Sequence, residues 1–264
     1  GLRIGDRCAV EPYLNCGACR ACRRGKTNCC ERLRVLGVHQ DGGMREALLV
    51  PAHKLHRSDK LPLEHLAVVE MLCIGAHAVR RTQLEPDEPA LVIGAGPIGL
   101  GVAQFARLAG ADVAVLEISA QRRAFCEAHL PGVRVAEPGA APAETARDLF
   151  QGELPTAVFD ATGNAQSMMA AFGLVANGGR LTLVGLVQSD LTFHDPEFHR
   201  REMTLLSSRN ATSEDFAAVI AALESGQIHL TPWITHRATP TTFVADFPGW
   251  LLPEQGVVKA MLAF

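Results

Sequence analysis

The spacing of Gly94, Gly96 and Gly99 in the run LVIGAGPIGLG constrains the fold of this chain more than any other feature. They follow an apolar segment typical of a buried β-strand and open a segment typical of a helix. In such a turn the first glycine makes the bend, the second lets the main chain approach a pyrophosphate, and the third allows close helix packing. Amide groups at the helix start then face the anion. We predict a dinucleotide site at Gly94, Gly96, Pro97, Ile98 and Gly99; the alternative is a tight turn that binds nothing.

The surrounding segments alternate between strand and helix. Strands are predicted at 90–93, 113–117, 157–160, 181–184 and 205–208, and helices at 97–109, 120–129 and 165–174. This alternation predicts an α/β fold, a doubly wound parallel sheet wrapped by helices. A further helix is predicted at 213–225. By contrast, residues 1–72 are interpreted as an all-β region, and residues 234–264 as short strands and turns.

A carboxylate follows the second predicted strand of this sheet. Glu117 lies eighteen residues after Gly99, where an acidic side chain is expected to bind the ribose hydroxyls of a dinucleotide. The same charge would repel the 2'-phosphate of NADP, so NAD is the predicted cofactor. Arg122 and Arg123 leave an alternative open, because either side chain could reach a phosphate or stack beside the adenine.

Two further residues are assigned to the cofactor site from their place in the predicted sheet. Thr162 and Gly185 follow parallel strands at the carboxyl edge, where open α/β sheets bind their ligands. With Arg122, they complete the set of residues that we expect to contact the nucleotide.

Six of the eight cysteines lie between Cys8 and Cys30. The spacing C-x2-C-x2-C-x7-C suits four thiolates around one tetrahedral zinc, and such a closed shell leaves no position for substrate. A structural zinc site is therefore predicted, with Cys29 as an alternative for the fourth ligand; the ligands are Cys16, Cys19, Cys22 and Cys30. Unrelated thiols or a disulfide cluster are the other interpretation. The length of 264 residues and the absence of a hydrophobic signal segment favour zinc and a reducing compartment, the cytoplasm.

Composition excludes several partner classes. A mass of 28.3 kDa favours two domains. The net charge of −3 argues against a polyanion-binding protein, and the gaps between the cysteines are too short for a DNA-recognition finger. No apolar run is long enough to cross a bilayer. We therefore predict no nucleic acid and no membrane among the partners, and a small molecule as substrate.

The motifs together resemble a known family. The cysteine spacing, Gly42-Gly43-Met44, Val69-Glu70 before IGAHAV, GAGPIG and VFDATGN are similar to those of zinc-dependent medium-chain dehydrogenases, in the sorbitol-dehydrogenase-like branch. The resemblance covers essentially the whole chain. It implies a partial GroES-like domain at 1–72 and 208–264, with a zinc lobe at about 12–32. It also implies a Rossmann domain at 73–207 and a homodimer or homotetramer.

The resemblance implies an activity as well: hydride transfer from a secondary alcohol of a polyol or sugar acid to NAD. Members of the family hold a second, catalytic zinc, and Glu70 matches the position of its third ligand. The alternative for Glu70 is a partly buried carboxylate at a helix start. Arg209 resembles an arginine near the nicotinamide and the substrate, with a surface ion pair as the alternative.

Two departures from the family pattern affect the expected activity. No Gly-His-Glu motif occurs in the chain, and the first catalytic cysteine of the family precedes a segment such as GLRIGDR. We therefore expect an N-terminally truncated chain that binds NAD and one zinc, and in which the catalytic zinc is represented by Glu70 alone. A competing hypothesis is a non-catalytic NAD-binding module whose zinc lobe serves as an interaction surface.

Overall fold

The first segment of the chain forms short strands joined by long loops. In the computed structural model, which describes residues 1–264, β1 pairs antiparallel with β4 and β2 with β3. The elements are β1 (Cys8–Val10), β2 (Tyr13–Leu14), the one-turn helix α1 (Arg20–Arg23), β3 (Arg34–Val35) and β4 (Leu55–Arg57).

The prediction that residues 1–72 are all-β is wrong at its end, because α2 (Leu63–Thr82) begins there. Met71, Leu72, Cys73 and Ala78 are all almost fully buried, and at 3.6 residues per turn they are spread around the helix axis, so this part of the helix is apolar on more than one face. A helix buried on all sides has no polar stripe, and its period of 3.6 residues is therefore hidden in the sequence.

The middle of the chain forms a six-stranded parallel sheet with the strand order β10-β9-β8-β5-β6-β7. This is the doubly wound order of a dinucleotide-binding sheet, and it confirms the predicted fold class. The elements are β5 (Pro89–Ile93), α3 (Pro97–Leu108), β6 (Asp112–Leu116), α4 (Ala120–His129), β7 (Arg134–Ala136), α5 (Pro142–Leu149), β8 (Ala157–Asp160), α6 (Ala165–Ala170), β9 (Arg180–Leu183), α7 (Asp195–Arg200) and β10 (Thr204–Ser207).

The central strands of this sheet are apolar throughout. Leu91 and Val92 in β5, like Val158 and Phe159 in β8, are fully buried, as expected for parallel strands covered on both faces. The two strands pair directly, with Ile93 opposite Asp160 at their carboxyl ends. The direction of winding reverses between them, and a crevice for a ligand is expected at such a point.

The chain ends in a helix, two strands and a crossover helix. The elements are α8 (Ser213–Glu224), β11 (Ile234–Ala238), α9 (Pro240–Trp250) and β12 (Lys259–Leu262). β11 and β12 are parallel, and the helix α9 connects them. The prediction of strands and turns alone for 234–264 is therefore wrong. Pro240 occupies the first turn of α9, where proline is tolerated, and Thr239 caps the helix. Pro248 lies inside the helix, near its C-terminal end.

The chain divides into two compact units. One contains Gly1–Cys73 and Arg209–Phe264, and the other contains Ile74–Ser208. The first unit is therefore built from both chain ends. None of the helices has the combination of length and apolar composition that a membrane crossing requires.

A buried carboxylate joins the two segments of the first unit. Glu11 is fully buried and accepts hydrogen bonds from Lys54, from His56 at 3.0 Å and from the Ser213 hydroxyl at 2.7 Å. Burial by itself would raise the pKa of Glu11, but the hydrogen bonds from these three side chains lower it below the ordinary value of 4.5. The His56 ring also stacks on Phe216 in α8, with ring centroids 4.6 Å apart.

We expect Glu11→Ala to lower the free energy of unfolding by about 3–5 kcal/mol, because the Lys54 ammonium would remain buried without its partner. Asp41→Ala is the control: it removes the exposed Asp41–Arg45 pair and should cost less than about 1 kcal/mol. Denaturant titration at neutral pH measures both changes. Equal denaturation midpoints for the two variants would contradict the stabilising role assigned to Glu11.

The same carboxylate gives a pH dependence with a definite sign. Because the pKa of Glu11 is lower in the folded than in the unfolded chain, its ionised form stabilises the fold above pH 4.5. That contribution is lost as the pH falls through the folded-state pKa. The difference in unfolding free energy between the wild-type chain and Glu11→Ala should therefore shrink below pH 4.5.

Candidate functional site

The glycine turn between β5 and α3 leaves no room for side chains at two of its positions. Gly94 has a φ of +93°, which L side chains rarely adopt, and its amide donates to the Leu116 carbonyl at 2.8 Å. A Cβ atom at Gly99 would lie 1.9 Å from the Gly94 carbonyl oxygen. This contact is why α3 can start directly against the end of β5.

The open side of the turn faces a cleft. A Cβ atom at Gly96 would meet only the Arg122 guanidinium, at 3.9 Å, so the main chain there is accessible to a ligand. Pro97 occupies the first helical position, and the first-turn amides of α3 have no partner within the helix. Such amides bind anionic groups, with the helix dipole adding to the attraction.

The cleft has a volume of about 740 Å³, enough for a nucleotide. Six of the predicted cofactor residues line it: Gly94, Gly96, Pro97, Glu117, Arg122 and Thr162. Ile98, Gly99 and Gly185 do not. A Cβ atom at Gly185 would lie 2.4 Å from the Gly163 amide nitrogen, so the structure places Gly185 in tight main-chain packing beneath the β8 turn.

Glu117 lines this cleft, and two main-chain amides donate hydrogen bonds to its carboxylate. The side chain is almost fully buried, with one oxygen accepting from the Ala95 amide at 2.6 Å and the other from the Ser119 amide at 2.7 Å. Each carboxylate oxygen has a second lone pair. Both oxygens therefore keep the capacity to accept a ribose hydroxyl.

The two arginines that follow Glu117 have different contacts in the structure. Arg123 donates to the Glu117 and Ile118 carbonyls at 2.9 and 2.7 Å and pairs with Glu137 at 3.0 Å. Arg122 is exposed and lines the cleft. Of the two, only Arg122 is therefore placed where a nucleotide would contact it.

One carboxylate near the cleft was not singled out from the sequence. Asp160, at the end of β8, is fully buried and accepts from the Thr162 amide at 2.9 Å and the Thr162 and Ser167 hydroxyls at 2.6 Å each. It thereby fixes the turn that places Thr162 and Ser167 in the cleft wall. The sequence signal was available in the run DATGNAQS, because an acidic residue beside Thr and Ser favours local hydrogen-bonded turns.

The four cysteines predicted as zinc ligands come together in the first unit. Their sulfur atoms all lie within 4.8 Å of one another; the residues are Cys16, Cys19, Cys22 and Cys30. Zn–S bonds of 2.3 Å place the sulfurs of a tetrahedral site about 3.8 Å apart, and the Cys16 and Cys22 sulfurs are separated by 4.0 Å. Cys29 is exposed and outside the group. The geometry thus fits a tetrahedral zinc.

Main-chain amides around these sulfurs favour thiolates. The Cys19 amide donates to the Cys16 sulfur at 3.4 Å, and the Cys16 and Arg32 amides donate to the Cys30 sulfur at 3.2 and 3.4 Å. Amide donors near Cys16 lower its pKa to about 5, whereas desolvation and the neighbouring thiols raise the pKa of Cys22 to about 11. Four thiolates this close repel one another unless a cation neutralises them, so the cluster favours a divalent metal.

The residues around Glu70, unlike the four cysteines, do not form a cluster of metal-ligating side chains. The Glu70 carboxylate accepts a hydrogen bond from the hydroxyl of Tyr13, a buried side chain whose pKa is raised by burial and by the Glu70 charge. The chain holds one group of three or more metal-ligating side chains, the cysteine cluster, and Glu70 is not part of it. The residues present here do not make up a second, catalytic zinc site.

Arg209 directly follows the middle unit in the chain, and its side chain is exposed. Its main-chain carbonyl accepts a hydrogen bond from the Asn28 side chain at 2.8 Å. The structure gives Arg209 no ion pair with an acidic residue, in contrast to the alternative considered for it from the sequence.

The family patterns cover both units of the chain. The alcohol dehydrogenase GroES-like domain matches residues 1–60, and the zinc-binding dehydrogenase pattern matches residues 97–225. The L-galactonate-5-dehydrogenase of Escherichia coli K12 is 40% identical over 264 residues, which is all of this chain and 77% of that protein. The chain belongs to the zinc-binding dehydrogenase family. The resemblance to zinc-dependent medium-chain dehydrogenases is thereby confirmed.

Other relatives and solved structures support the same family membership. The L-arabinitol 4-dehydrogenase of Hypocrea jecorina is 31% identical over 268 residues, covering 99% of this chain and 71% of that one. An alcohol dehydrogenase of E. coli CFT073, solved with NADH, has a TM-score of 0.92 at 26% identity, over 99% of this chain and 77% of that one. A zinc-binding dehydrogenase of Sinorhizobium meliloti, solved with NADP, has a TM-score of 0.85 at 25% identity, over 93% and 73%. These similarities favour an oxidoreductase over a non-catalytic module.

Proposed function

We propose that this chain provides the NAD site and the structural zinc lobe of a dehydrogenase that oxidises a secondary alcohol of a polyol or sugar acid. The observation that carries the proposal is the buried Glu117 carboxylate, held by two amides at the wall of a cleft beside an accessible glycine turn. The substrate class is supported by relatives named for L-galactonate and L-arabinitol. When bound, NAD accepts a hydride from the alcohol carbon, and a ketone and a proton are the other products.

The preference for NAD over NADP follows from charge. A 2'-phosphate on the adenosine ribose would lie against the Glu117 carboxylate, and no cationic side chain is bonded to that carboxylate. Arg122 is the competing influence, because it lines the same cleft, whereas the Arg123 guanidinium is held by main-chain carbonyls and by Glu137. We assign Arg122 to the adenine side, where a guanidinium can stack on the base.

Substrate chemistry is proposed for two residues of the first unit. Glu70 is proposed as a metal ligand of the enzyme and Arg209 as a group that contacts the substrate, both on the strength of the family resemblance. Tyr13 would hold one Glu70 oxygen in place through its hydroxyl. Because the chain does not supply a complete second metal site, we assign no reaction step to it.

The activity test uses the complete gene product with a panel of five- and six-carbon polyols and aldonates and either NAD or NADP. We expect NADH formation, with kcat/KM higher for NAD. Glu117→Ser should lower kcat/KM for NAD by about tenfold to a hundredfold, since it removes hydrogen bonds to a charged acceptor. It should also improve the use of NADP.

Glu127→Ser is the matched control, because it removes an exposed carboxylate of α4 outside the cleft. It should leave kcat/KM unchanged with NAD and with NADP. A wild-type preference for NADP would contradict the cofactor assignment. Absence of turnover with every substrate, in protein that contains zinc, would contradict the proposed activity.

The zinc proposal concerns Cys16, Cys19, Cys22 and Cys30. A closed shell of four sulfurs holds the loop in shape and offers no open position for chemistry. Since zinc thiolates require reduced cysteines, and all eight cysteines are free, the proposal includes a reducing compartment such as the cytoplasm. Fractionation of the source cells checks the location.

We expect the purified chain to contain one zinc, and Cys30→Ser to lose it. Cys29→Ser, the matched control one residue away, should keep one zinc because its side chain is exposed outside the cluster. Metal analysis after gel filtration measures both. Loss of zinc from Cys29→Ser with retention in Cys30→Ser would reverse the ligand assignment.

The proposal extends to self-association as a homodimer or homotetramer. β10 is an edge strand of the six-stranded sheet, and its residue Leu205 is exposed. An edge strand presents unpaired main-chain donors and acceptors that a second copy can use. A monomeric mass in sedimentation equilibrium would contradict this part of the proposal.

A further inference from the structure

A side chain of the zinc lobe is bonded to the main chain of Arg209. Asn28 donates its side-chain amide to the Arg209 carbonyl at 2.8 Å, across 181 residues of sequence. Asn28 is 3% exposed, so the donor side of this hydrogen bond is buried, while Arg209 itself is exposed. Both residues lie in the same compact unit.

The cysteine cluster determines where Asn28 lies. The residue is in the 3₁₀ turn Thr27–Cys29, within the seven-residue interval between Cys22 and Cys30. The Cys30 amide closes that turn onto the Thr27 carbonyl at 3.2 Å, and the Cys30 sulfur receives two main-chain amides. A metal that holds the Cys22 and Cys30 sulfurs therefore fixes both ends of the interval that carries Asn28.

The segment on the other side of the bond is held in an uncommon conformation. Asn210 has a φ of 51°, in the left-handed region that non-glycine residues seldom adopt. Ala211 is fully buried, and Thr212 begins the capping box of α8. The helix cap thus fixes the C-terminal side of this short segment. The Asn28 hydrogen bond is the contact that fixes the Arg209 carbonyl at the other side.

We propose that Asn28 is a positioning residue, through which the metal of the cysteine lobe fixes the main chain at Arg209. The inference rests on the proposed role of Arg209 in contacting substrate, and it adds a function to a metal site that has no open position for chemistry. Zinc in the lobe then affects substrate binding through one amide hydrogen bond. Loss of that bond should loosen residues 209–213 without removing any zinc ligand.

Hydrogen–deuterium exchange on the zinc-loaded chain tests this directly. We expect Asn28→Ala to keep one zinc and to raise the exchange rate of residues 209–213 about tenfold, the effect of losing one hydrogen bond with a net free energy of about 1 kcal/mol. Asn28→Asp keeps the shape of the side chain but cannot donate, and it should give the same increase. Removal of zinc from the wild-type chain should also raise exchange in this segment.

Asn15→Ala is the matched control within the lobe. The Asn15 amide points to the Cys22 sulfur at 3.7 Å rather than to Arg209. At saturating zinc this variant should leave the exchange of residues 209–213 unchanged. Unchanged exchange in Asn28→Ala would overturn the proposal. Loss of zinc from both Asn28 variants would also overturn it, because Asn28 would then belong only to the framework of the lobe.

A kinetic measurement on the complete gene product separates this inference from the proposed function. Asn28→Ala should raise the KM for the alcohol about fivefold or more, with kcat and the KM for NAD little changed. A rise in the KM for NAD alone would overturn the link to substrate. If the wild-type protein turned over no substrate, the proposed function would fail while the exchange result still decided the coupling.

Discussion

The contact between Gly99 and the Gly94 carbonyl is the constraint on which the nucleotide site depends. With any side chain at Gly99, α3 could not start this close to the end of β5, because a Cβ atom would overlap the carbonyl oxygen. This close approach brings the first-turn amides of α3 to the crevice at the reversal of strand order. Glu117 and Thr162, which follow the two strands beside β5, then complete the cleft wall.

The first unit has no large sheet, and it is held together by an apolar core that includes Phe216 and Trp233 and by buried polar interactions. Its strands have two to five residues, and they form only two-stranded pairs. Glu11 joins the two ends of the chain through Lys54, His56 and Ser213, and a bound metal would close the cysteine loop. Buried polar networks of this kind help to specify one arrangement of short segments. The Asn28 bond to Arg209 extends this principle to a main-chain segment proposed to serve the substrate.

The sequence predicted the middle unit best, because its physical signals are local. The glycine turn, the apolar strands and the carboxylate after β6 each follow from a few adjacent residues, and the fold class they predict is confirmed. The sequence analysis did not predict α2 or α9. α2 is buried on several sides and lacks a polar stripe, whereas α9 contains Pro240 in its first turn and Pro248 in its interior, and proline argues against a helix. The bonds from Tyr13 to Glu70 and from Asn28 to Arg209 join residues far apart in sequence, so no local pattern could predict them.

The most direct test of the account is a crystal structure of the protein grown with NADH, with diffraction recorded at the zinc absorption edge. We expect one anomalous peak among the sulfurs of Cys16, Cys19, Cys22 and Cys30. We also expect nucleotide density along the turn from Gly94 to Gly99, with the ribose hydroxyls at Glu117. The account would be contradicted by zinc bound away from these sulfurs, or by a nucleotide bound away from the glycine turn.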